Sequence, residues 1–111
     1  MRAIAPEPYA STIDVTTAAQ HLERAIHAPT PWATRFWILR ATGQLLHAEA
    51  YQQHVGNARM VRRIGQAVDA LHAMAATAGA VAPGSLVGWQ NGPLYNFQGV
   101  LGALAAALEG G

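Results

Sequence analysis

Apolar residues recur along this chain at steps of three and four, the spacing that lines up one face of an α-helix. Four stretches carry the pattern. The first spans about 15–27, where Val15, Ala19, Leu22 and Ile26 form a narrow stripe of mostly small residues that Asp14 or Thr16 would cap. So slight a stripe predicts a helix on the outside of the fold. Ala28-Pro29-Thr30-Pro31 then reads as a stop followed by a start. Pro29 ends one helix, Thr30 is a good N-cap for the next, and Pro31 takes the first helical position, where its missing N–H costs nothing.

The second helix is expected to run to about Val55, with Trp32, Phe36, Leu39, Leu46 and Ala50 on one face. Ile38 and Leu45 lie well around from that stripe, and Trp37 falls elsewhere again. A helix that is apolar on several sides is normally enclosed by neighbours, so this one is expected at the centre. Gly56-Asn57 makes the next break, and the third helix, about 58–77, has the cleanest pattern in the chain. Met60, Val61, Ile64, Ala67, Val68, Leu71, Met74 and Ala75 face one way; Arg59, Arg62, Arg63, Gln66 and Asp69 face the other.

Residues 79–93 are rich in glycine and proline and read as a packed loop that could hold a short helical turn at 84–89. The last helix, about 94–109, has Leu94, Phe97, Leu101, Leu104 and Leu108 in a continuous seam, with Gly99, Ala103 and Ala106 as a second, small-residue strip. Two prolines and the turn-formers Ser11, Thr12 and Asp14 mark 1–14 as an extended arm. The expected architecture is all-α: a small four-helix, bundle-like domain over 15–111, preceded by that arm, with helices two and three as the core hairpin.

Composition narrows the function classes. Half the chain is apolar and only 12% is charged, about half the usual share for a soluble domain, which argues against disorder. There is no cysteine, so disulfides and thiolate metal sites are excluded. A net charge of +1 does not point to nucleic acid or an anionic membrane. Pro6, Glu7 and Pro8 interrupt any signal-peptide core, and the longest apolar run, 100–108, is too short to span a bilayer. The expected location is therefore the cytoplasm.

Charge is also unevenly placed: the 39 residues between Asp69 and Glu109 include no Asp, Glu, Lys or Arg. Either this third of the chain is packed inside its own fold, or it presents an apolar face to another chain. The second reading makes Leu86, Trp89, Gly99, Ala103 and Ala106 candidate partner-binding residues, with a protein partner or a second copy in a dimer as occupant.

Five histidines invite a search for chemistry. His47, Tyr51 and His54 share one side of the second helix, and Glu23 and His27 stand four apart on the first. Neither an HExxH motif nor the ExxH pair of a di-iron bundle is present, so no metal ligand, cofactor or catalytic residue is assigned. An aromatic-lined pocket built from Trp32, Phe36, Arg40, His47, Tyr51 and Phe97 would suit a small-molecule binder or a cofactor-free enzyme. Arg59, Arg62 and Arg63 form the only basic cluster, a solvated helix face or a patch for an acidic surface.

The run from Ala80 to Gly92, ending Trp89-Gln90-Asn91-Gly92 before a leucine-spaced helix, resembles the second half of a Cro/CI-type helix-turn-helix. That resemblance implies a DNA-binding regulator. It departs from the family at Ala80, where the turn glycine would stand, and no basic residue follows Arg63, although phosphate contacts come largely from Arg and Lys. The pattern as a whole therefore points first to a non-catalytic helical interaction protein: an adaptor, inhibitor or assembly factor.

Overall fold

The computed structural model describes residues 7–110, with side chains from Ser11 onward. The chain is all-α: α1 (Glu7–Ile26), α2 (Pro31–His54), α3 (Ala58–Ala80), the single turn α4 (Leu86–Trp89) and α5 (Tyr95–Gly110). They form an elongated bundle of about 56 × 18 × 18 Å. No helix among the described residues is long and apolar enough to cross a membrane.

The first helix begins at Glu7, so the expected arm is helical over 7–14, and 1–6 lie outside the described residues. Pro8 falls in the first turn, where no N–H donor is needed. Ser11 is buried and accepts a hydrogen bond from Gln52 Nε2 at 2.8 Å. The buried face of α1 is Ser11, Val15, Ala18, Leu22 and Ala25, with Ile26, and it packs against both α2 and α5. Alanines along this face let neighbouring backbones come close. The helix expected on the outside is thus a full member of the core.

Local signals hold at the joints. Thr30 is extended and its Oγ1 accepts from Ala33 N–H at 3.0 Å. Gly56 takes a left-handed φ of 77°, which an L side chain rarely adopts. Asn57 Oδ1 then caps α3 by accepting from Met60 N–H. The third helix buries Met60, Ile64, Ala67, Val68, Leu71 and Ala75 as its pattern requires.

Most of the expected loop at 79–93 is helical instead. A 3-10 turn (Pro83–Ser85) leads into α4, then a π turn (Gln90–Leu94), then α5 without interruption. Pro93 explains the wide turn. Its ring would press on the carbonyl of Trp89 in a regular α-helix, and it has no N–H to donate there. Widening the turn relieves that clash: Tyr95 N–H reaches back five residues to the Gln90 carbonyl.

The π turn also aims Gln90 inward. Gln90 is buried, and its Nε2 lies 3.0 Å from Ala25 O, 2.8 Å from Ala28 O and 3.0 Å from Thr34 Oγ1. Thr34 Oγ1 in turn donates to Thr30 O. One amide therefore ties the end of α1, the start of α2 and the π turn together, while Gln52 and Ser11 join α2 to α1 at the other end. Leu94, Phe97, Leu101, Leu104 and Leu108 complete the core, as the seam predicts. Around the bundle, α1 adjoins α2 and α5, and α3 adjoins α2. The α3–α5 side is the loosest, with a groove of about 220 Å³ between Arg63, Gln66 and Ala67 and Phe97, Val100 and Leu104.

Candidate functional site

Which side of α2 faces the interior decides what the surface can do. Its buried face is Thr34, Ile38, Ala41, Thr42, Leu45, Ala48 and Gln52. The two threonines satisfy their hydroxyls on the carbonyls of Thr30 and Ile38, four residues back. The stripe expected to be core lies on the opposite side. Trp32 is 72% exposed, Phe36 39%, Leu39 37% and Leu46 44%, and Gly43 and Ala50 are exposed with them. These six positions advance by four, three, four, three and four residues, a straight apolar seam along the outside of the bundle.

The N-terminal half of the seam is aromatic and cationic. Trp32 stacks on Phe36 at 5.9 Å between centroids, and Phe36 meets Trp37 edge-on at 5.2 Å. Across the α1–α2 groove, Arg24 lies over the Trp37 ring at 5.0 Å. Arg40 lies 5.8 Å from the Phe36 centroid and 5.9 Å from that of Trp37. Among the described residues no carboxylate pairs with either guanidinium; the ion pairs there are His27–Glu23 and His47–Asp14, each at 2.8 Å. His21 packs against Trp37 at 5.5 Å, with Nδ1 buried and without a hydrogen-bond partner among the described residues. Burial pushes its pKa below the ordinary value, and Arg40 and Arg24 push in the same direction. Both effects favour the neutral imidazole over the charged one beside these two cations.

The aromatic pocket expected from the sequence does not assemble. Trp32, Phe36 and Arg40 meet on the outer face, while His47 is exposed and bonded to Asp14. Tyr51 sits at the far end of α2, and Phe97 is buried on the α3–α5 side. The basic cluster also divides. Arg59 and Arg63 line an end cavity of about 590 Å³ with Tyr51, Gln52, Asn57 and Leu108, whereas Arg62 turns toward Gln53 and Gly56. The Tyr51 hydroxyl is buried, with no hydrogen-bond partner among the described residues.

Of the partner-binding residues expected in the C-terminal third, Leu86 is buried in the fold and Trp89 is half-buried against the core. Gly99, Ala103 and Ala106 are exposed. The Trp-Gln-Asn-Gly run that resembles the close of a recognition helix lies inside the continuous α4–α5 path, with Gln90 buried. No group of three His, Asp or Glu side chains among the described residues could hold a metal ion. Sequence reasoning missed His21, Arg24 and Trp37 as a cluster, because they join only when α1 and α2 pack. It also missed Gln90, whose single clue is a polar residue one helical turn before Leu94 of the apolar seam.

Comparison with protein-family models, with curated proteins and with solved structures finds no match to this chain.

Proposed function

We propose that this chain is a non-catalytic helical interaction protein, an adaptor, inhibitor or assembly factor, that docks a protein partner on the outer face of α2. One observation carries the reading: six successive seam positions, Trp32, Phe36, Leu39, Gly43, Leu46 and Ala50, are apolar and exposed. Single exposed apolar residues are ordinary, but a contiguous seam with two large aromatics is the composition of a binding hot spot. Arg24 and Arg40, spread over the rings, extend that composition. The strip Gly99, Ala103 and Ala106 on α5 is a second candidate face, ranked lower because small side chains bury little area.

The test is capture from the native host with the parent protein and with Leu46→Asp. A partner held by the parent and lost by a folded Leu46→Asp variant supports the reading; equal capture by both removes α2 from it.

A second reading, a small-molecule binder, is favoured by the end cavity, where Arg59 and Arg63 beside Met60 and Leu108 would meet an anionic, partly apolar ligand. A thermal shift with a panel of carboxylates and phosphates that disappears in Arg63→Gln would support it.

A further inference from the structure

Resting on the α2 reading above, we infer that the occupant of this face is a second copy of the chain, docked antiparallel through α2 about a two-fold axis beside Ala41. The seam is built symmetrically around that residue. Leu39 and Gly43 lie two positions to either side, Phe36 and Leu46 five, and Trp32 and Ala50 nine. Both aromatics, with Leu39, are in the first half; the second half holds Gly43, Ala50 and a single leucine, Leu46. An antiparallel copy therefore sets Trp32 against Ala50, Phe36 against Leu46 and Leu39 against Gly43 of its mate. Each bulky side chain meets a smaller one, as close packing requires.

A parallel copy would do the reverse. It would place Trp32 on Trp32 and Phe36 on Phe36 at one end, and leave a hole where Gly43 faces Gly43. It would also bring Arg35 toward Arg40 of the mate, since flanking positions five residues apart adjoin in parallel pairs.

Charge supports the antiparallel choice. Arg35 and Glu49 flank the seam on its α3 side, where their side chains rest against Gly79 and Gly65, and neither has an ion-pair partner among the described residues. In the antiparallel register each faces the other across the axis, giving two Arg35–Glu49 pairs. Such pairs at the edge add little affinity, but they select orientation. The one adverse juxtaposition is Arg40 with its own mate, and its guanidinium is already drawn aside over Phe36 and Trp37.

The area is also adequate. Trp32 and Phe36 leave roughly 250 Å² of surface open per chain, taking about 200–250 Å² for a whole aromatic residue. Two copies, with the leucines and flanking stems, reach on the order of 1,200 Å², the lower end of specific interfaces.

Gly43 provides a test whose sign separates this pairing from mere stickiness. A Cβ at position 43 meets nothing within 4 Å in its own chain, so Gly43→Leu leaves the monomer folded. Added apolar surface should strengthen nonspecific association, whereas here it fills the space that Leu39 of the mate needs. Sedimentation equilibrium should show the parent as a dimer and Gly43→Leu weakened by roughly tenfold or more. Equal or tighter association of Gly43→Leu would overturn the register.

Because the chain has no cysteine, Arg35→Cys and Glu49→Cys report orientation directly. Oxidised as a mixture they should cross-link, and neither should do so alone; self-linking of Arg35→Cys would overturn the antiparallel arrangement. A parent that stays monomeric at about 200 µM, far above the Kd of a specific dimer, overturns self-pairing. If a host partner is then still lost by Leu46→Asp, the α2 reading stands without it. If none is lost, both fail.

Discussion

At the scale of single residues, the fold depends on a few buried polar groups that its pattern of apolar positions does not announce. Replacing Gln90 by Leu leaves the Ala28 carbonyl without its buried donor, while the Ala25 carbonyl keeps only the long 3.3 Å bond from Ala28 N–H, and Thr34 loses a partner. Urea denaturation should show a loss of about 1–3 kcal/mol, the cost of stranding buried acceptors. An unchanged midpoint would mean that water replaces the amide freely.

His21 supplies a pH signature. Its pKa is lowered in the fold by burial and then by Arg40 and Arg24, so the unfolded chain takes up a proton first as pH falls. This contribution to stability is complete above the ordinary histidine range, and is lost as pH drops from about 6.5 through the lowered folded value. Thermal melts between neutral pH and about pH 5 should therefore fall less steeply for His21→Leu than for the parent. Parallel curves would show that His21 is indifferent to its charge.

At the scale of elements, the existence of the helices was legible and the facing of one was not. Thr30, Pro31, Gly56 and Asn57 punctuate the chain as their chemistry requires, and the faces of α3 and α5 fall where periodicity puts them. The second helix has two apolar seams on opposite sides, and periodicity alone does not say which is inside. Apolar residues on several sides suggested a helix enclosed all round. The structure instead buries Thr34, Ala41, Thr42 and Ala48, because small residues let α1 and α3 approach closely. The same reason explains α1, whose alanines looked too slight for an inner helix.

Proline misled twice. Pro8 fits a first turn, and Pro93 is absorbed by a π turn that a search for regular helices does not foresee.

Two neighbouring residues test the facing. Ile38→Ala should cost about 2–5 kcal/mol as a cavity in the core, and Leu39→Ala, partly exposed in the monomer, only about 1 kcal/mol. Comparable losses at both positions would refute the assigned orientation. Leu71→Ala on α3 should match Ile38→Ala, since both side chains are fully buried.

At the scale of the whole molecule, a bundle only 18 Å across has little interior, and α2 and α5 both turn apolar positions outward. On α5 these are mostly small residues. On α2 they are large, continuous and bordered by guanidinium groups over aromatic rings, so α2 is where a partner would gain most by docking. The α2 seam was visible in the sequence as a stripe, but its role changed when the stripe proved to be outside. The candidate pocket failed for a related reason: Trp32 and Phe36 belong to the outer face of α2, whereas Phe97 belongs to the core. Residues of one chemical character had been grouped across surfaces that never meet.

The most direct measurement is radical footprinting of the protein inside its native host, compared with dilute purified protein. If the outer face of α2 is a docking surface, Trp32, Phe36 and Leu46 should be labelled in dilute solution and protected in the cell. Val87 and Tyr95, exposed elsewhere on the molecule, should be labelled in both. Equal labelling of Trp32, Phe36 and Leu46 in the two samples would contradict the account.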